Sequence, residues 1–300
     1  MTTAATPATP PLRCPDTASA YANQCAGSPT TWALVRDRHD HQLWRVHGPR
    51  MTVAVKVANG QNATRVLVRE ATVLRAMPPG GISVLRTVHD LHSAEPWAWL
   101  ITPWADGPTT WDACRALRDD AHNGREEARR AAVELCMAVG RLHAVGWVHG
   151  DLRPHHAVHT TAGVRLLSCA GASRIGHATS ATYLGGLVHL LSPQLAAALE
   201  SSTAGVMLDP ADEVYTLAAG LWWAATTSWP RAFGDAGLDP STMTALALRR
   251  AIATANIPLA SGTAHSWPEF LAPLTAAMAQ VPGDRPSAFQ LADQLKAVPL

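Results

Sequence analysis

The sequence lacks an excess of charge of either sign. Its 300 residues include 24 Lys and Arg against 23 Asp and Glu, so the composition does not favour binding to nucleic acid or to an anionic membrane surface. Charged residues make up 16% of the chain and apolar residues 47%. This supplies core material for one large globular domain or for two lobes.

Cysteine pairs are also lacking. The five cysteines are odd in number and scattered, with neither a CxxC pair nor a disulfide framework. This usage is typical of a reducing compartment, so we expect a cytoplasmic protein. The residues are Cys14, Cys25, Cys114, Cys136 and Cys169.

No apolar run is long enough for a membrane span. The most apolar segment, VYTLAAGLWWAATTSW at 214–229, is too short and directly follows Asp212 and Glu213. A helix that is apolar on all sides is predicted to lie at the centre of a large lobe. Residues 1–30 are rich in Thr, Ala and Pro and lack the pattern of a signal peptide, so we predict a disordered leader.

The sequence pattern of the remaining chain changes once, from strand-like to helical. From Thr31, short runs rich in Val, Leu and Trp alternate with charged or Gly/Pro turns, which predicts strands, with one helical stretch at 63–77. After residue 107 the pattern is mainly helical. We therefore predict an α+β protein with a small β-rich lobe at 31–105 and a larger helical lobe at 106–300.

One candidate ion pair crosses the small lobe. Lys56 lies within VAVKV, a predicted strand, and Glu70 lies in the helix that follows. A lysine on a strand is usually a solvated charge. A buried lysine, however, needs a carboxylate partner, and Glu70 has the spacing to supply one.

Four further motifs follow in order: LHAVGWVHGDLRP at 142–154, SPQ at 192–194, DEVYTLAAG at 212–220 and GDRPSAFQLADQL at 283–295. Together with the Lys56–Glu70 spacing, they resemble the eukaryotic-like Ser/Thr protein kinases of bacteria over roughly residues 31–298. The resemblance implies a two-lobed protein-kinase-like fold. The HGD segment is also similar to related small-molecule phosphotransferases, but the SPQ and DRPS motifs favour the protein-kinase branch.

The resemblance implies roles for residues at the phosphate end of the site. Lys56 would hold the α- and β-phosphates of ATP and Glu70 would position it. Asp151 would be the catalytic base, and Arg153 a cation that contacts phosphate.

It also implies four structural roles. His149 would be a packed histidine, and Asp212 would accept hydrogen bonds from the backbone near His149 and Gly150. Arg285 would hold the end of the activation segment at Gln194, which replaces the family's glutamate.

Departures from the family pattern concern the metal and the phosphates. His156 and Ser168 occupy the positions of the two magnesium ligands, and no carboxylate occurs between Asp151 and Glu200. Since Mg²⁺ prefers carboxylate oxygens, we do not expect it to bind here. The family's glycine-rich loop falls on RDRHDHQLW, and Arg36, Arg38 and His41 in its glycine positions are expected to crowd the phosphates.

The connector between the lobes still permits an adenine ring. Thr102 would lie at the back of the pocket, while Pro103 and Ala105 would present backbone groups to the base. Ala54 is small enough to leave room above the ring. We therefore expect ATP binding to be weak or independent of metal.

Two functions fit these features. The first is a pseudokinase, a binding, regulatory or scaffold component for a partner protein. The alternative is an atypical ATP-dependent phosphotransferase acting on Ser or Thr of a protein or peptide, within a peptide-modifying complex. A transition-metal site at His149, His155 and His156 is a further alternative, although adjacent histidines seldom point at one ion.

Overall fold

The structure, a computed structural model, describes residues 14–38, 40–77, 83–119, 122–181, 183–254, 256–262 and 265–300. Over these residues the protein is mixed α+β, with a five-stranded antiparallel sheet and ten α-helices. The chain divides into two structural units, with a boundary between Trp104 and Ala105. This boundary lies one residue before the predicted one.

The sheet of the first unit forms where the sequence becomes rich in Val, Leu and Trp. Its strands pair in the order β1-β2-β3-β5-β4, and all neighbours are antiparallel. Central strand β3 is buried on both faces, which explains its nearly continuous apolar sequence. The strands are β1 (Thr31–Arg38), β2 (His41–His47), β3 (Thr52–Asn59), β4 (Arg86–Asp90) and β5 (Trp97–Pro103).

One helix packs on each face of this sheet. Helix α1 (Asp16–Ala26) contributes to the apolar cluster that contains Val53 and Trp99. Helix α2 (Gln61–Ala76) contributes to the cluster on the opposite face, which contains Leu100. Because alternate strand residues point to opposite faces, these two helices bury different sets of side chains from the same strands.

The prediction of a disordered leader over residues 1–30 is wrong for Asp16–Ala26, which form α1. Residues 1–13 lie outside the described residues. Ala18, Ala22 and Ala26 recur every fourth residue and therefore share one helix face, and each is 0% exposed. The small side chains allow close packing on the sheet, a feature that the Thr- and Pro-rich composition of the segment obscures.

Helices dominate the second unit. Helix α7 is buried along most of its length, which confirms the prediction of a central apolar helix at 214–229 as far as Thr226. In the part of the chain that the structure describes, no helix is both long and apolar enough to cross a bilayer. The helices are α3 (Thr110–Ala113), α4 (Arg115–Arg118), α5 (Arg125–Ala144), α6 (Pro193–Ser201), α7 (Pro210–Thr226), α8 (Ala245–Thr254), α9 (Pro268–Ala279) and α10 (Ala288–Lys296).

Two short strand pairs hold the loops of the second unit. Strand β6 (Trp147–Val148) pairs with β9 (Ser173–Arg174), and β7 (Ala157–Thr160) pairs with β8 (Gly163–Leu166). The loops at 149–156 and 167–172 therefore lie side by side. The Leu167 N–H donates to the His156 carbonyl oxygen over 2.7 Å, which joins the two loops directly.

Candidate functional site

The predicted ion pair of the first unit is present. Strand β3 places Lys56 and helix α2 places Glu70 so that Lys56 Nζ lies 2.6 Å from Glu70 Oε1. The Glu70 side chain is 9% exposed and that of Lys56 is 28% exposed. The Glu70 carboxylate is thus more shielded from solvent than the Lys56 side chain.

Small side chains surround Lys56 on the same face of the sheet. Ala54 lies two residues before it on β3 and pairs with Thr102 on β5, and both are buried. Pro103 ends β5 opposite Val53. Ala105 is the first residue of the second unit after this strand. The nucleotide-binding roles of Ala54, Pro103 and Ala105 remain predictions.

The hairpin that joins β1 and β2 carries the expected basic residues. Arg36 and Arg38 are exposed on β1, and His41 begins β2, where its Nδ1 lies 2.8 Å from Asp40 Oδ1. A register shift between Leu34 and Arg36 marks a bulge in β1. The tip residue His39 lies outside the described residues.

In the second unit, Glu213 anchors the loop that begins at His149. Its Oε1 accepts hydrogen bonds from the backbone N–H groups of His149 and Gly150, each over 2.7 Å. Its Oε2 lies 2.8 Å from His143 Nε2. Burial alone would raise the pKa of Glu213, but these hydrogen bonds outweigh it and hold the pKa below its ordinary value.

The prediction that Asp212 anchors this loop is therefore wrong by one residue. Asp212 instead accepts a hydrogen bond from Ser192 Oγ over 2.7 Å and lies 3.5 Å from Arg285 Nη1. Burial raises its pKa, although Ser192 and Arg285 oppose the shift. Glu213 lies four and eight residues before Leu217 and Leu221, on the most apolar stripe of α7. That spacing is the sequence signal that identifies Glu213.

His149 fixes the loop from within, as expected for a packed structural histidine. It is 0% exposed. Its Nε2 donates to the Leu167 carbonyl oxygen over 2.8 Å, and its Nδ1 accepts from the Asp151 backbone N–H over 3.3 Å. These two bonds set the ring tautomer and the position of Asp151 together.

Asp151 is held by Arg153. The Arg153 Nε donates to Asp151 Oδ1 over 2.8 Å, and Nη2 donates to Oδ2 over 3.2 Å. Burial nevertheless raises the pKa of Asp151, because desolvation of the carboxylate outweighs the attraction of Arg153. Arg153, expected to contact phosphate, is thus engaged by the carboxylate that was expected to act as the base.

Residues 183–187 lie against this carboxylate, a contact that the sequence did not reveal. The Tyr183 hydroxyl donates to the Gly150 carbonyl oxygen over 2.6 Å, and burial raises the pKa of that hydroxyl. Gly186 has φ +64°, and a Cβ built there would lie 2.4 Å from Asp151 Oδ1. Only glycine allows so close an approach at this backbone conformation.

His156 and Ser168, at the positions where the resemblance places two magnesium ligands, differ in their surroundings. His156 Nδ1 donates to the Asp151 carbonyl oxygen over 2.9 Å and lies 3.7 Å from Asp151 Oδ2. Ser168 adopts the left-handed conformation, with φ 61° and ψ 47°, which is uncommon for a residue with a side chain. An imidazole that is already bonded and a serine hydroxyl do not form the oxygen-rich donor set that Mg²⁺ requires.

The three neighbouring histidines point in different directions. His155 stacks on Trp111 with ring centroids 4.8 Å apart, whereas His149 and His156 have centroids 6.5 Å apart. Within the described residues, no three His, Cys, Asp or Glu side chains are placed to hold one metal ion.

Arg285 and Gln194 meet as predicted. Arg285 Nη2 donates to Gln194 Oε1 over 2.8 Å, and Nη1 donates to the Ala211 carbonyl oxygen over 3.1 Å. The guanidinium therefore joins the start of α6 to the start of α7. The side chain is 1% exposed, so these bonds satisfy a buried cation.

Neither a family model nor a curated protein sequence matches this chain.

Proposed function

We propose that this chain is a two-lobed protein-kinase-like protein of the pseudokinase class, which binds and regulates a partner protein in the cytoplasm. The five ordered motifs support the resemblance. The Lys56–Glu70 ion pair and the Arg285–Gln194 hydrogen bond each join two residues that the resemblance expects to be in contact. The nearly equal numbers of basic and acidic residues favour a protein partner over nucleic acid.

The observation that carries this proposal is the chemistry of the loops around Asp151. His156 and Ser168 stand where two oxygen ligands for magnesium would be needed, and the residues present do not fit that ion. In phosphoryl transfer, metal ions neutralise charge on the β- and γ-oxygens, a contribution of several kcal/mol. At about 1.4 kcal/mol per factor of ten, its loss slows transfer by about three orders of magnitude.

Engagement of Asp151 supports the same conclusion. A general base needs a free lone pair directed at the proton that it accepts. Both carboxylate oxygens of Asp151 already accept hydrogen bonds from Arg153, at 2.8 and 3.2 Å. Residues 183–187 cover the carboxylate further, with Gly186 against Oδ1. Each oxygen keeps a second lone pair, but a substrate hydroxyl would have to reach it past these groups before it could react.

One observation favours the phosphotransferase alternative. The Lys56–Glu70 pair is intact at 2.6 Å, and burial raises the pKa of Asp151, the direction that suits a proton acceptor. Under this alternative the chain would phosphorylate Ser or Thr of a dedicated protein or peptide. It would then require a magnesium–nucleotide complex, which the pseudokinase would not.

Thermal-shift titration with ATP distinguishes the pseudokinase from the phosphotransferase. A ligand at 100 times its dissociation constant stabilises a protein by about 2.7 kcal/mol. We expect ATP to raise the melting temperature slightly, and at least as much in EDTA as in magnesium, and we expect Lys56→Gln to abolish the rise. A large stabilisation that requires magnesium would support the phosphotransferase instead.

A further inference from the structure

The β1–β2 hairpin directs its basic side chains to the face of the sheet that carries Lys56. Arg36 pairs with Leu43, and Leu43 pairs with Lys56, so the three lie in one row across the sheet. Directly paired residues of antiparallel strands share a face, as do residues two apart on one strand. Arg38, two residues from Arg36, therefore belongs to this face as well.

Strand spacing brings these cations within reach of one ligand. Neighbouring strands lie about 4.8 Å apart, so the Cα atoms of Arg36 and Lys56 are about 10 Å apart. The Arg36 and Arg38 side chains are exposed and that of Lys56 is partly so. Long side chains entering from both ends of such a gap can contact successive groups of one extended anion.

The acidic groups nearby leave this face positively charged. Glu70 neutralises Lys56, and Asp40 contacts His41. Asp37 points to the opposite face, where its Oδ1 accepts a hydrogen bond from the buried Gln42 side chain. Among the described residues, neither Arg36 nor Arg38 forms an ion pair. Two like charges on one strand face repel each other, so an anion between them would relieve this repulsion.

Although Arg36 and Arg38 were expected to crowd the phosphates, we propose that together with Lys56 they form a binding site for a metal-free oligophosphate, the triphosphate of a nucleotide included. Guanidinium groups bind phosphate oxygens through paired, charge-assisted hydrogen bonds. They supply the positive charge that a magnesium ion would otherwise bring. A metal–phosphate complex binds less well, because its cation lies against the guanidinium groups and its anionic charge is already neutralised.

This inference deepens the nucleotide-binding part of the proposed function and rests on it. Calorimetric titration with inorganic tripolyphosphate and with ATP, each in EDTA and in magnesium, tests both. We expect the parent protein to bind both ligands in EDTA and to bind them more weakly in magnesium. Arg36→Gln/Arg38→Gln is expected to bind tripolyphosphate about a hundredfold more weakly, since it removes two charged contacts that each contribute about a factor of ten.

Arg50→Gln/Arg86→Gln is the matched control. It removes the same charge from the same unit, but Arg50 lies in the β2–β3 turn and Arg86 pairs with Ile101, on the face covered by α1. This variant is expected to bind like the parent, and Arg36→Lys/Arg38→Lys is expected to retain part of the affinity. Equal binding by the two double glutamine variants, with unchanged melting temperatures, would overturn the inference, as would a requirement for magnesium.

Comparing ATP with tripolyphosphate tests the nucleotide site and the arginine site separately. If ATP binds while Arg36→Gln/Arg38→Gln has no effect, the nucleotide site stands and the arginine site is refuted. If the variant loses tripolyphosphate but ATP binds no better than tripolyphosphate, the arginine site stands and adenine recognition at Thr102 and Pro103 fails.

Discussion

The Arg153 guanidinium donates one hydrogen bond to each carboxylate oxygen of Asp151, over 2.8 and 3.2 Å. This pairing sits on a loop whose backbone is fixed independently by Glu213 and His149. The polar groups of this loop are therefore hydrogen-bonded within the protein itself. Under the proposed pseudokinase function, this arrangement would keep the shape of the loop while leaving fewer groups for a substrate.

Replacing Glu213 should destabilise the second unit strongly. Glu213→Ala leaves the buried N–H groups of His149 and Gly150 without an acceptor, at about 1–3 kcal/mol each, so a loss of about 2–6 kcal/mol is expected. Asp212→Asn is the neighbouring control, because an asparagine oxygen can still accept from Ser192. Urea denaturation monitored by tryptophan fluorescence measures both. Equal midpoints for the two variants would remove Glu213 from its anchoring role.

Lowering the pH should reduce the difference in the free energy of unfolding between the parent and Glu213→Gln. The pKa of Glu213 is lower in the folded protein than its ordinary value of 4.5. A depressed carboxyl pKa stabilises the fold fully above the unfolded pKa, and this contribution is lost as pH falls through the folded pKa. The difference in unfolding free energy should thus be constant from about pH 7 to about pH 5.5 and then shrink below about pH 4.5. A difference that grows with acid would contradict the assigned direction.

Gly186 should tolerate a methyl group less well than another glycine of similar conformation. Gly186 has φ +64° and Gly237 has φ +69°, but only a Cβ at Gly186 meets other atoms, including Asp151 Oδ1. Both alanine substitutions carry the left-handed backbone penalty of about 1–2 kcal/mol. Gly186→Ala should lose about 1–3 kcal/mol more, through overpacking against Asp151. Thermal or urea unfolding of the pair checks this, and equal losses would show that residues 183–187 do not press on the carboxylate.

Local sequence patterns predicted the ion pair and the buried helix because each depends on short spacing. Lys56 and Glu70 lie on adjacent elements, and α7 is apolar on every side. The assignment of Asp212 failed because two carboxylates adjoin, and only the helical phase relative to Leu217 and Leu221 separates their directions. Helix α1 was missed because its alanine stripe is short and lies next to a Pro-rich segment.

Contacts between distant residues could not be predicted. Tyr183 reaches Gly150 and Gly186 reaches Asp151 across loops with no regular periodicity. Whether Arg153 would face a ligand or Asp151 depends on the loop conformation that Glu213 and His149 impose. The candidate residues could therefore be predicted from the sequence. Which of them contact one another could be learned only from the tertiary structure.

The central claim is that these loops no longer support phosphoryl transfer. Its most direct test measures phosphate incorporation from ATP labelled at the γ-phosphate, with magnesium and with manganese. The acceptors would be the protein itself, a general protein substrate and the proteins encoded by neighbouring genes. The proteins compared would be the parent, Asp151→Asn and Ser168→Asp.

We predict that the parent and Asp151→Asn give the same background. Ser168→Asp should give it too, because one carboxylate beside His156 does not complete a magnesium site. Incorporation by the parent that disappears in Asp151→Asn, onto any of these acceptors, would contradict the account and establish the chain as a phosphotransferase.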